Sequence, residues 1–303
     1  MLDSAGSNNK INSLTMTISD FNQLNKSEAE NALFECCGSS NWVSVLMKYF
    51  PFKNEMDLII KSGECWYSQC NETDWLEAFT RHPKIGDVKS LTEKFASTSH
   101  LAGDEQSGVN VASKDVIELL AKANDQYESK YGFIFIVCAT GKSANEMLRL
   151  LQDRLHNNRE EELNIAMGEQ QKITLLRIKK LLSSSTETNQ LVSQITTHVL
   201  DTSIGKPGAN ITIRLKKAVS TDWTTIAQGV TNKDGRIADL LPASISLQPG
   251  IYKMVFDTGK YFSDSKVDGF YPAVEIQFFV FDNTHYHVPL LINPFGYSTY
   301  RGS

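Results

Sequence analysis

The sequence predicts a multidomain chain, an all-α helical bundle followed by an all-β sandwich. Three observations carry this. Apolar residues recur at helical spacing from about Ile18 to Leu182, and beyond residue 194 they alternate with period two. Between the two stretches, Ser183-Ser-Ser-Thr-Glu-Thr-Asn-Gln190 holds no apolar residue at all. At 303 residues the chain is too long for one ordinary domain and suits two. The boundaries read from these features are a helical domain over 1–182, a linker over 183–193 and a sandwich over 194–303, each half with a core of its own.

In the first half, helix starts are expected at two Ser-x-x-Glu capping boxes, Ser27 to Glu30 and Ser143 to Glu146. After the second, Met147, Leu151 and Leu155 share a face. Val116, Ile117, Leu120 and Tyr127 repeat the pattern, and Ile173, Leu176 and Leu181 are expected to form the buried face near the end of the half. In the second half the strands read as Ile195 to Asp201, then Ile211, Ile213 and Leu215, then Tyr252, Met254 and Phe256, then Val274, Ile276, Phe278 and Val280. Asp234-Gly235 and Pro249-Gly250 mark turns between them, and the spacing suggests a β-sandwich.

Composition narrows the function classes. No stretch approaches the roughly 18 apolar residues of a membrane span, and the polar start, Met1 to Lys10, does not read as a secretory signal, so a soluble intracellular protein is expected. All five cysteines lie in the first half without disulfide or zinc spacing, which predicts free thiols. The net charge is −5 and the acidic excess falls before residue 190, so neither half offers the basic stripe a nucleic acid demands.

Among the histidines of the helical half, His100 and His156 read as solvated or packing residues. His82 differs: it sits in Arg81-His82-Pro83-Lys84-Ile85-Gly86-Asp87, where Pro and Gly fix an irregular backbone. Asp104-Glu105-Gln106 follows a second loop and would direct a carboxylate and an amide toward the same space. Gly132-Phe133-Ile134-Phe135-Ile136-Val137-Cys138-Ala139 is an apolar run of strand-like composition whose simple reading is core. Buried extended backbone can also present its N–H groups to a ligand.

These three pieces, in this order, resemble the OHCU decarboxylases of ureide metabolism, which convert 2-oxo-4-hydroxy-4-carboxy-5-ureidoimidazoline (OHCU) to (S)-allantoin without a cofactor. The resemblance implies His82 as acid–base catalyst with Glu105 as its partner. It implies Pro83, Gln106 and the backbone of Phe135, Ile136, Val137, Cys138 and Ala139 as substrate-binding. One departure is Thr140, where some relatives carry arginine.

In the second half, His198 lies on the first strand, Arg236 follows the Asp234-Gly235 turn, and His285-Tyr286-His287 alternates so that both histidines share a face. Two histidines at i and i+2 without a convincing third ligand favour acid–base chemistry over zinc. With the terminal Tyr300-Arg301-Gly302-Ser303, this set resembles the 5-hydroxyisourate hydrolases, enzymes of the transthyretin-like fold. The resemblance implies a site built from His198, Arg236, His287 and Ser303, with His285 and Tyr300 binding substrate. It also implies small-molecule substrates, no metal or cofactor, and a homotetramer formed through the sandwich.

The two families act consecutively in urate breakdown, so a bifunctional enzyme is expected. The rival class is a binding module, a transthyretin-type carrier or a signalling partner, but carriers of that fold lack the histidine, arginine and Tyr-Arg-Gly-Ser set. The resemblance places such enzymes in the peroxisome or the cytoplasm. Neither residues 183–190 and their flanks nor the C-terminus reads as a peroxisomal address, which favours the cytoplasm.

Overall fold

Local chemistry starts most of the helices where a short polar side chain can satisfy the orphan N–H groups of a first turn. The computed structural model describes residues 16–82, 114–140, 142–182 and 193–302. Its first half runs α1 (Ile18–Phe21), α2 (Lys26–Cys37), α3 (Ser40–Leu46), a 3₁₀ turn (Met47–Tyr49), α4 (Glu55–Ser68), α5 (Glu72–Thr80), α6 (Lys114–Tyr131), α7 (Ala144–Arg154) and α8 (Arg159–Leu182). Ser143 and Glu146 form the expected capping box at α7. At α2 the box is Asn25 with Glu28, not Ser27 with Glu30. Asn-x-x-Glu satisfies the same two donors two residues earlier, which leaves Ser27 inside the first turn.

Two apolar clusters fill the helical half. One gathers Phe21, Leu33, Trp42, Leu46, Leu58 and Trp66 from the first helices, and the other joins Ile117, Leu120 and Tyr127 to Met147, Leu151 and the run from Phe133 to Val137. All five cysteines are free and buried. Helix α8, about 36 Å long at 1.5 Å per residue, touches both clusters. Its buried stripe is Met167, Gln171, Leu175, Ile178 and Leu182, whereas the expected Ile173, Leu176 and Leu181 are only half-buried. The helix is covered on more than one side, so polar Gln170, Gln171 and Thr174 are buried with it and the most apolar row is not the innermost.

The second half runs β1 (Ile195–Asp201), β2 (Lys206–Pro207), β3 (Thr212–Val219), β4 (Asp222–Val230), β5 (Arg236–Ile237), β6 (Gly250–Phe256), α9 (Thr258–Asp264), β7 (Val274–Val280), β8 (Tyr286–His287), β9 (Leu290–Asn293) and β10 (Gly296–Thr299). One sheet has the order β4-β3-β6-β7. The other has β10-β9-β1-β2, with β5 and β8 also pairing β1. Ile211, Ile213, Leu215, Tyr252, Met254 and Phe256 point inward and are fully buried, as the alternation predicts.

The sandwich core does not stop at the sandwich. Ile59 and Ile60 of α4 and Leu175 of α8 belong to the same apolar cluster as Val199, Leu215 and Ile226. Strand β4 is a sheet edge, and two glycines let helix backbone close on it. A Cβ at Gly63 would lie 2.9 Å from Thr225 O, and one at Gly168 would lie 2.7 Å from Gln228 O. The Gln228 N–H donates to Tyr67 Oη at 3.1 Å, so part of that edge is satisfied by the helical half. Each half has its own core, and this one seam joins them. Among the described residues, no helix is long and apolar enough to cross a membrane.

Candidate active sites

His82 directly follows Arg81, the C-cap of α5, and its N–H donates to Phe79 O at 3.2 Å. The half-buried ring places Nε2 2.6 Å from Gln170 Oε1. Gln170 is fully buried on α8, and its amide nitrogen donates to Cys37 O and to Thr174 Oγ1, each at 3.3 Å. A carbonyl only accepts, so these partners orient the amide and turn its oxygen toward the histidine. His82 Nε2 must therefore carry a hydrogen, and the lone pair of the neutral ring sits on Nδ1.

The run from Phe133 to Ala139 is packed but forms no ladder; residues 134–139 are irregular. Its backbone groups are bound by side chains instead. The Cys138 N–H donates to Glu169 Oε2 at 2.7 Å, Cys138 O accepts from Lys142 Nζ at 2.8 Å, and Ile136 O accepts from Arg154 Nη1 at 2.8 Å. Arg154 is itself held by buried Glu162, with Nε to Oε1 at 2.7 Å. Burial pushes the Cys138 thiol up, away from the thiolate form.

Glu169 and Gln170 are neighbours on α8, one bound to the Cys138 peptide and the other to His82, so a single helix turn connects two pieces that sequence reading singled out separately. Nothing in the pattern of α8 marked Gln170, because a glutamine within a helix is ordinarily a solvated residue. Pro83, Glu105 and Gln106 lie outside the described residues, and Thr140 is exposed.

In the sandwich, β1 organises a second cluster. It pairs antiparallel with β5 so that His198 stands opposite Arg236, and parallel with β8 so that Thr196 stands opposite His287. Arg236 is brought there by the turn at Gly235, which has φ +70° and lies so close to Val199 O that a side chain would collide. Asn232 Oδ1 caps the same turn by accepting from Asp234 N–H at 2.9 Å and Arg236 N–H at 3.0 Å. Thr196 and His198 are two apart and share one face of the strand.

Thr196 Oγ1 lies 2.8 Å from His285 Nε2 and 2.9 Å from His287 Nδ1, and the two rings are near parallel with centroids 6.4 Å apart. One hydroxyl hydrogen cannot serve both rings, so at least one histidine carries a proton on the nitrogen facing Thr196. Burial pushes the His287 ring down from its ordinary pKa, and His285, Arg236 and His198 add to the effect. Burial and then Arg236 do the same to His198. Both shifts favour the neutral ring, the form that accepts a proton.

The chain end closes over this cluster. Gly302 forms a bridge with His287, its N–H donating to His287 O at 3.0 Å, and Arg301 lies over the Tyr286 ring. Tyr300 is exposed, and Ser303 lies outside the described residues. The structure thus brings His198, Arg236, His285 and His287 to one end of β1. It adds Thr196, whose only signal in the sequence was its place two residues before His198. Among the described residues no group of three or more His, Cys, Asp or Glu side chains is arranged to hold a metal.

A helical bundle joined to a transthyretin-like sandwich, each with its own polar cluster, defines a two-domain enzyme. Residues 22–179 match the family described as OHCU decarboxylase, and residues 195–302 match the HIUase/Transthyretin family. The chain is 34% identical over 319 residues to the "Uric acid degradation bifunctional protein TTL" of Arabidopsis thaliana, covering 88% of this chain and 96% of that protein. It is 42% identical over 110 residues to the 5-hydroxyisourate hydrolase of Salmonella dublin, covering 36% of this chain and 80% of that one. A crystal structure of (S)-allantoin synthase aligns over 95% of this chain and 100% of its own, at 24% identity and a TM-score of 0.45. The chain belongs to the OHCU decarboxylase family and carries a HIUase domain behind it, as a bifunctional protein of urate degradation.

Proposed function

We propose that the sandwich hydrolyses 5-hydroxyisourate to OHCU and that the helical half decarboxylates OHCU to (S)-allantoin. The observation that carries the first step is the convergence of His198, Arg236, His285 and His287 at one end of β1, with both shifted histidines lowered in pKa. A neutral histidine takes a proton from water as it attacks the ring carbonyl, and the Arg236 guanidinium stabilises the charge that develops on oxygen. Thr196 fixes the ring orientations. In the assignment we favour, His287 Nδ1–H donates to Thr196 and leaves Nε2 as the base. Ser303 is the remaining catalytic group, and His285 and Tyr300 bind substrate.

For the second step His82 is the acid–base group, held by Gln170 so that Nδ1 exchanges the proton, with Glu105 as its partner. Pro83, Gln106 and residues 135–139 hold the substrate. The electrons released with carbon dioxide pass into the substrate's own ring, so neither step calls for a cofactor. The proposed boundaries are 1–182 and 194–303 around a linker at 183–193; the matched stretches, 22–179 and 195–302, support them. The assembly proposed is a homotetramer built through the sandwich, in the peroxisome or the cytoplasm.

Paired variants test the assignment. His198→Ala is expected to lose hydrolysis and keep decarboxylation of supplied OHCU. His82→Ala is expected to lower decarboxylation by roughly 10²–10⁴-fold, the worth of a positioned acid–base group, and keep hydrolysis. Equal loss of both activities in either variant contradicts the division of labour.

A further inference from the structure

The seam between the halves carries a closed set of charges around one residue, Cys138, whose N–H and C=O belong to successive peptide units. Glu169 Oε2 accepts the Cys138 N–H at 2.7 Å, and Lys142 Nζ donates to Cys138 O at 2.8 Å. Glu169 Oε1 is held at 2.7 Å by Lys172, whose side chain is only 7% exposed. Both lysines then meet a single carboxylate of the other half, Asp239, which follows β5. Its Oδ1 lies 3.2 Å from Lys172 Nζ and its Oδ2 lies 3.4 Å from Lys142 Nζ.

We propose that Asp239 of the sandwich is a positioning residue for the decarboxylase site, acting through Lys142 and Lys172 on the Cys138 peptide. An ordinary surface ion pair contributes little and has no reason to bracket both backbone groups of one residue. Here each Asp239 oxygen takes one lysine, and the two lysines control opposite ends of the Cys138 residue, one directly and one through Glu169. With Asp239 the cluster of two ammoniums and two carboxylates is neutral. Without it, a nearly buried Lys172 and Lys142 share Glu169 alone, and an uncompensated positive charge pulls that carboxylate off the Cys138 N–H.

The electrostatics agree with the geometry. Asp239 is about half exposed (51%), yet the Lys172 ammonium holds its carboxyl well below the usual carboxylate range, with Lys142 adding to the effect. Burial works against the Lys172 charge, and Glu169 and Asp239 outweigh it, so the lysine stays protonated. The hydrolase half would therefore set the shape of its partner's pocket, a role that neither half performs alone. This rests on residues 135–139 as a wall of the decarboxylase site.

The test uses the full chain with Asp239→Asn and Asp239→Glu. Asp239→Asn is expected to lower kcat/KM for decarboxylation by roughly 3–30-fold, the usual range for coupling through such a network, mainly through KM. Hydrolysis stays unchanged, and Asp239→Glu recovers most of the loss. Hydrogen exchange of the Cys138 amide is expected to quicken in Asp239→Asn. Unchanged decarboxylation kinetics overturn the proposal, and so does a parallel fall of both activities with a lowered melting temperature. If the wild-type chain decarboxylates nothing, the reading of the site fails instead. The amide exchange then decides the clamp by itself: faster exchange upholds it, and unchanged exchange removes it.

Discussion

Replacing Gly302 by alanine places a methyl group where the His287 side chain already lies. The added Cβ would stand 3.1 Å from His287 Cβ and Cγ and closer still to Cδ2, whereas carbon atoms rest at about 3.5–4.0 Å. The contact must open by about 1 Å. If the ring gives way, His287 leaves its 2.9 Å approach to Thr196; if the chain end gives way, the 3.0 Å bond from Gly302 N–H to His287 O is lost. Either displacement misplaces a proposed catalytic group by about 1 Å, which costs on the order of 10²-fold in rate. Position 302 is at the chain end, so stability is expected to change by less than about 1 kcal/mol. The ultraviolet decay of 5-hydroxyisourate measures the loss, with decarboxylation of supplied OHCU as the internal control. Hydrolysis at the wild-type rate in Gly302→Ala would refute the argument that the C-terminal run and His287 form one site.

Three further outcomes follow from the same geometry. Because His198 and His287 both lie below the ordinary value of 6.5, the acid limb of kcat/KM for hydrolysis should fall below pH 6.5. As pH drops the rings gain protons and activity is lost; a limb above 6.5 in the pH profile would contradict the neutral-base assignment. A short tail added after Ser303 should block hydrolysis while the same tail before Met1 should not, and full activity with a bulky C-terminal extension would remove Ser303 from the mechanism. Leu175→Ala at the seam should destabilise the chain by about 2–5 kcal/mol, as core truncations do, and a helical fragment ending at Leu182 should melt lower than the same half in the whole chain. Denaturant titration reads both, and a fragment as stable as the intact chain would mean the shared cluster contributes nothing.

The change from helical to alternating period told the two halves apart, and the strand that opens at Ile195 begins where β1 does, because in a sandwich one face is buried and the other is not. The paired histidines, His285 just before β8 and His287 on it, were legible for the same reason. Helix α8 was not: with neighbours on several sides it buries glutamines and a threonine, so hydrophobicity no longer marks the inner row. Thr196 could have been found by counting back two residues along a strand face. The contacts of Gln170 with His82 and of Asp239 with Lys142 could not, since they join residues 88 and 97 apart along the chain. The start of α2 was misplaced because two overlapping sequences can cap a helix and only packing selects between them.

The central claim is that one chain performs both steps and sets the stereochemistry of the second. Purified full-length protein supplied with 5-hydroxyisourate, followed together by ultraviolet absorbance and circular dichroism, tests it directly. Rapid loss of substrate, transient OHCU and a final dichroism signal of (S)-allantoin alone are expected. Decay at the spontaneous rate, or racemic allantoin as the end product, would contradict it.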